Sequence, residues 1–102
     1  MGRIQTTIAF HLANQIVSTS ALPLEAFSAI TQEQVDRANR ARITIEVNPV
    51  RYRYDGIAPT SAIGHLLVAG SELVIEGADN IRNLSFIRSG GADATVMVTL
   101  EE

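Results

Sequence analysis

Cysteine, lysine and tryptophan are absent from this chain. Without cysteine there is no disulfide, no thiolate metal ligand and no thiol nucleophile. The compartment stays open, because reducing and oxidising environments both tolerate such chains. No G-x-x-x-x-G-K-[ST] phosphate loop occurs, and there is no lysine to serve one. No apolar run approaches the ~20 residues that a bilayer-crossing helix needs, so no membrane partner is expected. Threonine, glutamine and histidine break up the opening MGRIQTTIAFHLA. That argues against a signal peptide and for a soluble product made in the cytoplasm. Basic charge is also scarce: 8 Lys+Arg against 11 Asp+Glu leave a net charge of −3, so no nucleic-acid partner is expected. Aromatic residues make up only 5%.

What remains describes a single globular domain over residues 1–102, with 46% hydrophobic and 19% charged residues. A chain of this length buries roughly two-thirds of its unfolded surface and needs no staples. Every basic residue is arginine, which suits protein–protein contacts, where arginine is enriched and lysine depleted. Compositional bias of a GC-rich genome accounts for it equally well.

Period-two alternation dominates. From Arg3 to Ala13, residues Ile4, Thr6, Ile8, Phe10 and Leu12 share one face, and Gln5, Thr7, Ala9 and His11 the other. This predicts a half-buried strand, which Ile16 and Val17 either continue or follow with a second. Such a strand can pair within its own sheet or add to a neighbour's edge. Further strands are expected over Arg42–Val47, Val50–Tyr54, Ile63–Val68, Glu72–Glu76, Ile81–Ile87 and Asp93–Leu100. Turns are expected at Asn48-Pro49, Asp55-Gly56, Ala58-Pro59-Thr60, Ala69-Gly70, Gly77–Asn80 and Ser89-Gly90-Gly91. Between Leu24 and Arg40 the pattern changes. Leu24, Phe27 and Ile30 are spaced as in a helical turn, and Thr31 with Gln34 has capping-box spacing. One or two short helical turns, or an ordered loop over one end of the domain, fit this connection. The total of about seven or eight short strands implies an all-β domain, a β-sandwich or small barrel.

Residues that could carry chemistry are sparse. His11 and His65 are far apart in sequence, and neither has a second ligand at metal spacing. Gly64-His65, Gly70, Ile75 and Gly77 are similar to half of a cupin motif, but the paired histidines are missing. His65 is expected as a turn residue whose ring bonds to backbone. Ser61 precedes His65 by four residues with Asp55 further upstream, yet no G-x-S-x-G elbow is present. Glu72, Glu76 and Asp79 could supply paired carboxylates, although alternation places Glu72 and Glu76 on the solvent face. The glycines suit strand corners needing positive φ. No catalytic residue, metal ligand or cofactor is therefore expected, and the chain is read as a non-enzyme. The densest polar–aromatic group is Arg51, Tyr52, Arg53 and Tyr54. It is proposed as an assembly contact, with arginines gripping carboxylates of a neighbour, or else a phosphate. The plain alternative is two arginines on the wet face of a strand.

The segment VRYRYDGIAPTSAIGHLLVAGSELVIEG with NIRNLSFIRSGGADATVMVTLEE resembles small structural proteins of tailed-bacteriophage virions. The pieces that carry the resemblance are Arg51 to Arg53, Asp55-Gly56, Pro59-Thr60, Gly64 to Leu67, Gly70 and Phe86 to Arg88. They span about half the chain. The resemblance implies a jelly-roll-like β-sandwich located in the virion and acting by assembly. Capsid decoration (cement) is the favoured role, with a head–tail, collar or tail accessory protein as the alternative. The implied partners are the chain itself, as a homo-oligomer such as a trimer or pentamer, and major capsid or other virion proteins. Two readings of other classes stand beside it. One is a cupin-like small-molecule-binding protein or enzyme. The other is a carbohydrate-binding module resting on Tyr52 and Tyr54, although both rings are expected in the core or an interface.

Overall fold

The computed structural model describes residues 8–102. Its strands are β1 (Ala9–Val17), β2 (Leu22–Pro23), β3 (Arg40–Val47), β4 (Val50–Arg53), β5 (His65–Leu67), β6 (Glu72–Glu76), β7 (Ser85–Arg88) and β8 (Ala94–Glu101). Two short helices, α1 (Gln32–Arg37) and α2 (Ala78–Arg82), and a 3-10 turn at Leu24–Ala26 complete it. The strands form two four-stranded sheets, ordered β1-β8-β3-β6 and β2-β7-β4-β5, with every pairing antiparallel. This is the double Greek-key order of a jelly roll. The chain changes sheet at every connection except β4 to β5.

Local chemistry explains the corners. Asn48 adopts φ +61, and Pro49 follows it where the chain leaves the first sheet for the second. The Asn48 amide donates to the Asp93 carbonyl at 2.9 Å, tying this corner to the start of β8. The Thr31–Gln34 capping box forms as its spacing implies. Gln34 N donates to Thr31 Oγ1 at 3.2 Å, and Thr31 N donates to Gln34 Oε1 at 2.9 Å.

The core lies between the sheets. Ile43, Ile45, Val96, Val98 and Leu100 from one sheet meet Val50 and Phe86 from the other. Leu24, Phe27, Val35, Ile81 and Leu84 close an end through the helical segments. Phe27 and Phe86 pack with ring centroids 6.1 Å apart.

Two expectations change. The first strand runs Ala9–Val17, and the part of the expected Arg3–Ala13 strand that precedes residue 8 lies outside the described residues. Phe10 is an extra residue in the pairing with β8, a bulge between Ala9 and His11. Ile8, Leu12 and Ile16 are exposed, before and after the bulge alike, and Ala13 and Val17 are buried. Phe10 turns toward α1, where the Arg37 guanidinium lies 4.1 Å over its ring. The second change is at Gly77–Arg82, expected as a turn leading into an Ile81–Ile87 strand. Gly77 at φ +100 redirects the chain. Asn80 Nδ2 donates to the Glu76 carbonyl at 3.0 Å, and Ile81 N to the Gly77 carbonyl at 3.1 Å. The resulting turn of α2 buries Ile81, and β7 begins only at Ser85.

Candidate functional site

The site develops where β4 outruns the core. Val50 is fully buried, Tyr52 is half-buried against the core, and Tyr54 is 42% exposed. Tyr52 touches Phe86 on one side, with centroids 6.3 Å apart. On the other it stacks with Tyr54 at 6.2 Å and an interplanar angle of 23°. His65, opposite Tyr52 on β5, completes the group at 5.2 Å from Tyr52 and 6.3 Å from Tyr54. Burial raises the Tyr52 phenol above its ordinary pKa, with the neighbouring Tyr54 adding to the effect.

The arginines alternate onto the opposite face of β4 and hold the chain's own loop. Arg51 Nε donates to the Ser61 carbonyl at 3.0 Å, and Nη1 to the Gly64 carbonyl at 2.9 Å. Together with buried Pro59, this fastens the 54–64 loop beside the sheet. Arg53 forms a fork with Asp55, with Nε to Oδ1 at 3.0 Å and Nη2 to Oδ2. That hydrogen bonding holds Asp55 below the usual carboxylate range and raises the Arg53 guanidinium. Gly64 is required between these parts. It sits at φ +139, and an added Cβ would lie 3.1 Å from the Tyr52 carbonyl oxygen and 3.2 Å from Pro59 Cβ.

The result is a cleft of about 620 Å³ between the end of β4, the Ile63–His65 segment and α2, lined by Arg53, Tyr54, Asp55, Ile63, His65 and Asn80 among others. Of the four residues singled out from the sequence, Arg53 and Tyr54 line it. Tyr52 supports the rings from behind, and Arg51 fixes the loop. Asp55 and Asn80 were legible only as turn residues, and Ile63 only as a strand start. Their shared location depends on tertiary structure. His65 is a stacking residue here. The histidine that bonds to backbone is His11, whose Nε2 lies 2.6 Å from the Ala29 carbonyl oxygen.

Elsewhere, Glu72 and Glu76 point outward as alternation implies and pair with Arg42 and Arg40. Among the described residues no group of three or more histidine and acidic side chains is placed to hold a metal ion. Arg51–Arg53, His65–Leu67 and Phe86–Arg88 lie in the adjacent strands β4, β5 and β7 of one sheet. No family model, curated protein or solved structure matches the chain.

Proposed function

We propose that the chain is a structural component of a bacteriophage virion, a capsid decoration protein that self-associates through its sheet edges and binds the capsid. Jelly rolls serve as viral capsid domains, and also as lectins and cupins, so the fold alone does not choose among them. The observation that carries the reading is the pair of apolar sheet edges. On edge strand β1, Leu12 and Ile16 are 61% and 60% exposed. On edge strand β5 and just after it, Leu66 and Val68 are 49% and 54% exposed. Exposed apolar edge strands are templates for pairing with another chain.

The two edges lie on opposite sides of the sandwich. The short Ser18–Ala21 link keeps β1 beside β2, and the short Val68–Ser71 link keeps β5 beside β6. An edge of one copy meeting the different edge of the next is a head-to-tail contact, which gives rings such as trimers or pentamers where its rotation closes. On this reading the assembly contact lies on the edges. The Arg51–Tyr54 strand serves it indirectly, since its guanidinium groups hold the loop next to β5.

Sedimentation velocity tests this arrangement. The wild type is expected as a closed oligomer. Leu12→Glu with Ile16→Glu, and separately Leu66→Glu with Val68→Glu, are expected as folded monomers. Mixing the two variants restores one intact contact and gives dimers that grow no further. A wild type that stays monomeric at high concentration and does not co-sediment with phage capsids defeats the proposal.

A further inference from the structure

We infer that the cleft beside Tyr54 is a binding site for a neutral saccharide. Whatever the chain's assembly, a sugar ring is recognised by the groups it presents. Its axial C–H groups form a weakly polar face, and its hydroxyls lie around the rim as both donors and acceptors. A matching site therefore needs an exposed aromatic face flanked by fixed polar groups of both kinds. Tyr54 supplies the face, held in place by stacking on Tyr52 and by His65 at 6.3 Å. Ile63 adds apolar surface at the cleft wall.

The polar rim is fixed in advance. Arg53 and Asp55 hold each other through two hydrogen bonds, so neither has to be ordered when a ligand arrives. Each keeps further capacity, because a guanidinium has five N–H donors and a carboxylate about four acceptor positions. Asn80 donates through Nδ2 to the Glu76 carbonyl, and its Oδ1 has no partner among the described residues. The volume of about 620 Å³ falls within the usual range for small-ligand pockets. The charge at the rim selects against anions. The Asp55 carboxylate balances Arg53, so a phosphate or nucleotide meets no net positive charge there. A nucleobase could stack on Tyr54, but its phosphate would face Asp55.

Saturation-transfer-difference NMR on the full chain tests the inference. The probes are glucose, galactose, mannose, N-acetylglucosamine and their β-linked disaccharides, with AMP and inorganic phosphate as anionic arms. At millimolar concentration at least one saccharide is expected to receive transfer at its ring C–H protons, while AMP receives none and phosphate moves no cleft resonance. Tyr54→Ala should weaken that binding about tenfold, whereas Tyr54→Phe, which keeps the ring, should retain most of it. Asn80→Ala, a change on the exposed surface of α2, should weaken binding and provides the reading if Tyr54→Ala unfolds the loop. Silence across the saccharides, binding of AMP or phosphate at the cleft, or saccharide binding indifferent to both Tyr54→Ala and Asn80→Ala overturns the inference. A monomeric wild type would leave it standing.

Discussion

Arg51 donates to the carbonyl oxygen of Gly64 across 13 residues of chain, at 2.9 Å, and to Ser61 at 3.0 Å. One side chain thus fixes both ends of the segment that forms a wall of the cleft. Arg51→Ala leaves two loop carbonyls without their donor and should lower stability by about 1–2 kcal/mol. Arg51→Lys should recover only part of the loss, because an ammonium does not reproduce the planar fork. Urea denaturation of the three proteins measures this, and amide exchange over Ser61–His65 should quicken in both variants.

Gly64 and Gly70 both have positive φ, but only Gly64 is crowded, with the Tyr52 carbonyl 3.1 Å from an added Cβ and nothing within 4 Å of Gly70. Gly64→Ala should therefore cost about 2 kcal/mol or more, combining backbone strain with displacement of β4 or Pro59. Gly70→Ala should cost about 1 kcal/mol, from backbone strain alone. Equal losses in thermal unfolding would contradict the close packing at Gly64.

Gln34 joins three segments. Its Oε1 accepts from Thr31 N, and its Nε2 donates to His11 Nδ1 at 3.2 Å. His11 Nε2 in turn donates to the Ala29 carbonyl, an assignment that places the ring proton on Nε2. The edge strand is thereby tied to the connection before α1. Gln34→Ala breaks both the capping box and the tie and should cost about 1–2 kcal/mol. Gln34→Glu keeps the Thr31 acceptor but loses the donor to His11, so it should fall between alanine and wild type.

Acid should act through Asp55 and Glu102, whose pKa values are lowered chiefly by hydrogen bonds from Arg53 and Arg37. A carboxylate with a depressed folded pKa contributes stability that is present above its unfolded pKa and lost as pH falls through the folded one. Stability should therefore decline on the acid side of the ordinary carboxylate range, and Arg53→Gln should return Asp55 to that range in a carbon-detected NMR titration. Tyr52 works in the opposite sense. Its raised phenol pKa contributes stability that is full below the free tyrosine value of about 10 and is lost as pH rises through the folded value. Ultraviolet titration of Tyr54→Phe should show the Tyr52 phenol ionising above that value.

Much of the fold was legible because alternation survives where nothing interrupts it. Glu72–Glu76 matches its expected bounds, and Thr31 with Gln34 announced the start of α1 correctly. The outward facing of Leu12 and Ile16 was not legible, since alternation groups residues by face without saying which face is covered. The five residues of α2 contain a single buried apolar side chain, Ile81, too few to set a period. The cleft was legible only in part. Arg53 and Tyr54 stood out as a cluster, but Asp55, Ile63 and Asn80 reach it from separate segments through pairings that a linear reading cannot place. The openness of the β1 and β5 edges likewise follows from strand order, a property of the whole jelly roll.

We propose that this domain decorates a virion. Immunogold electron microscopy of intact phage particles from the source that encodes the chain, using antibody raised against it, tests that claim most directly. Label is expected on the head surface at symmetry-repeated positions, lost when decoration is stripped from the capsid. Particles that are complete and infectious yet carry no label on head, neck or tail would contradict it.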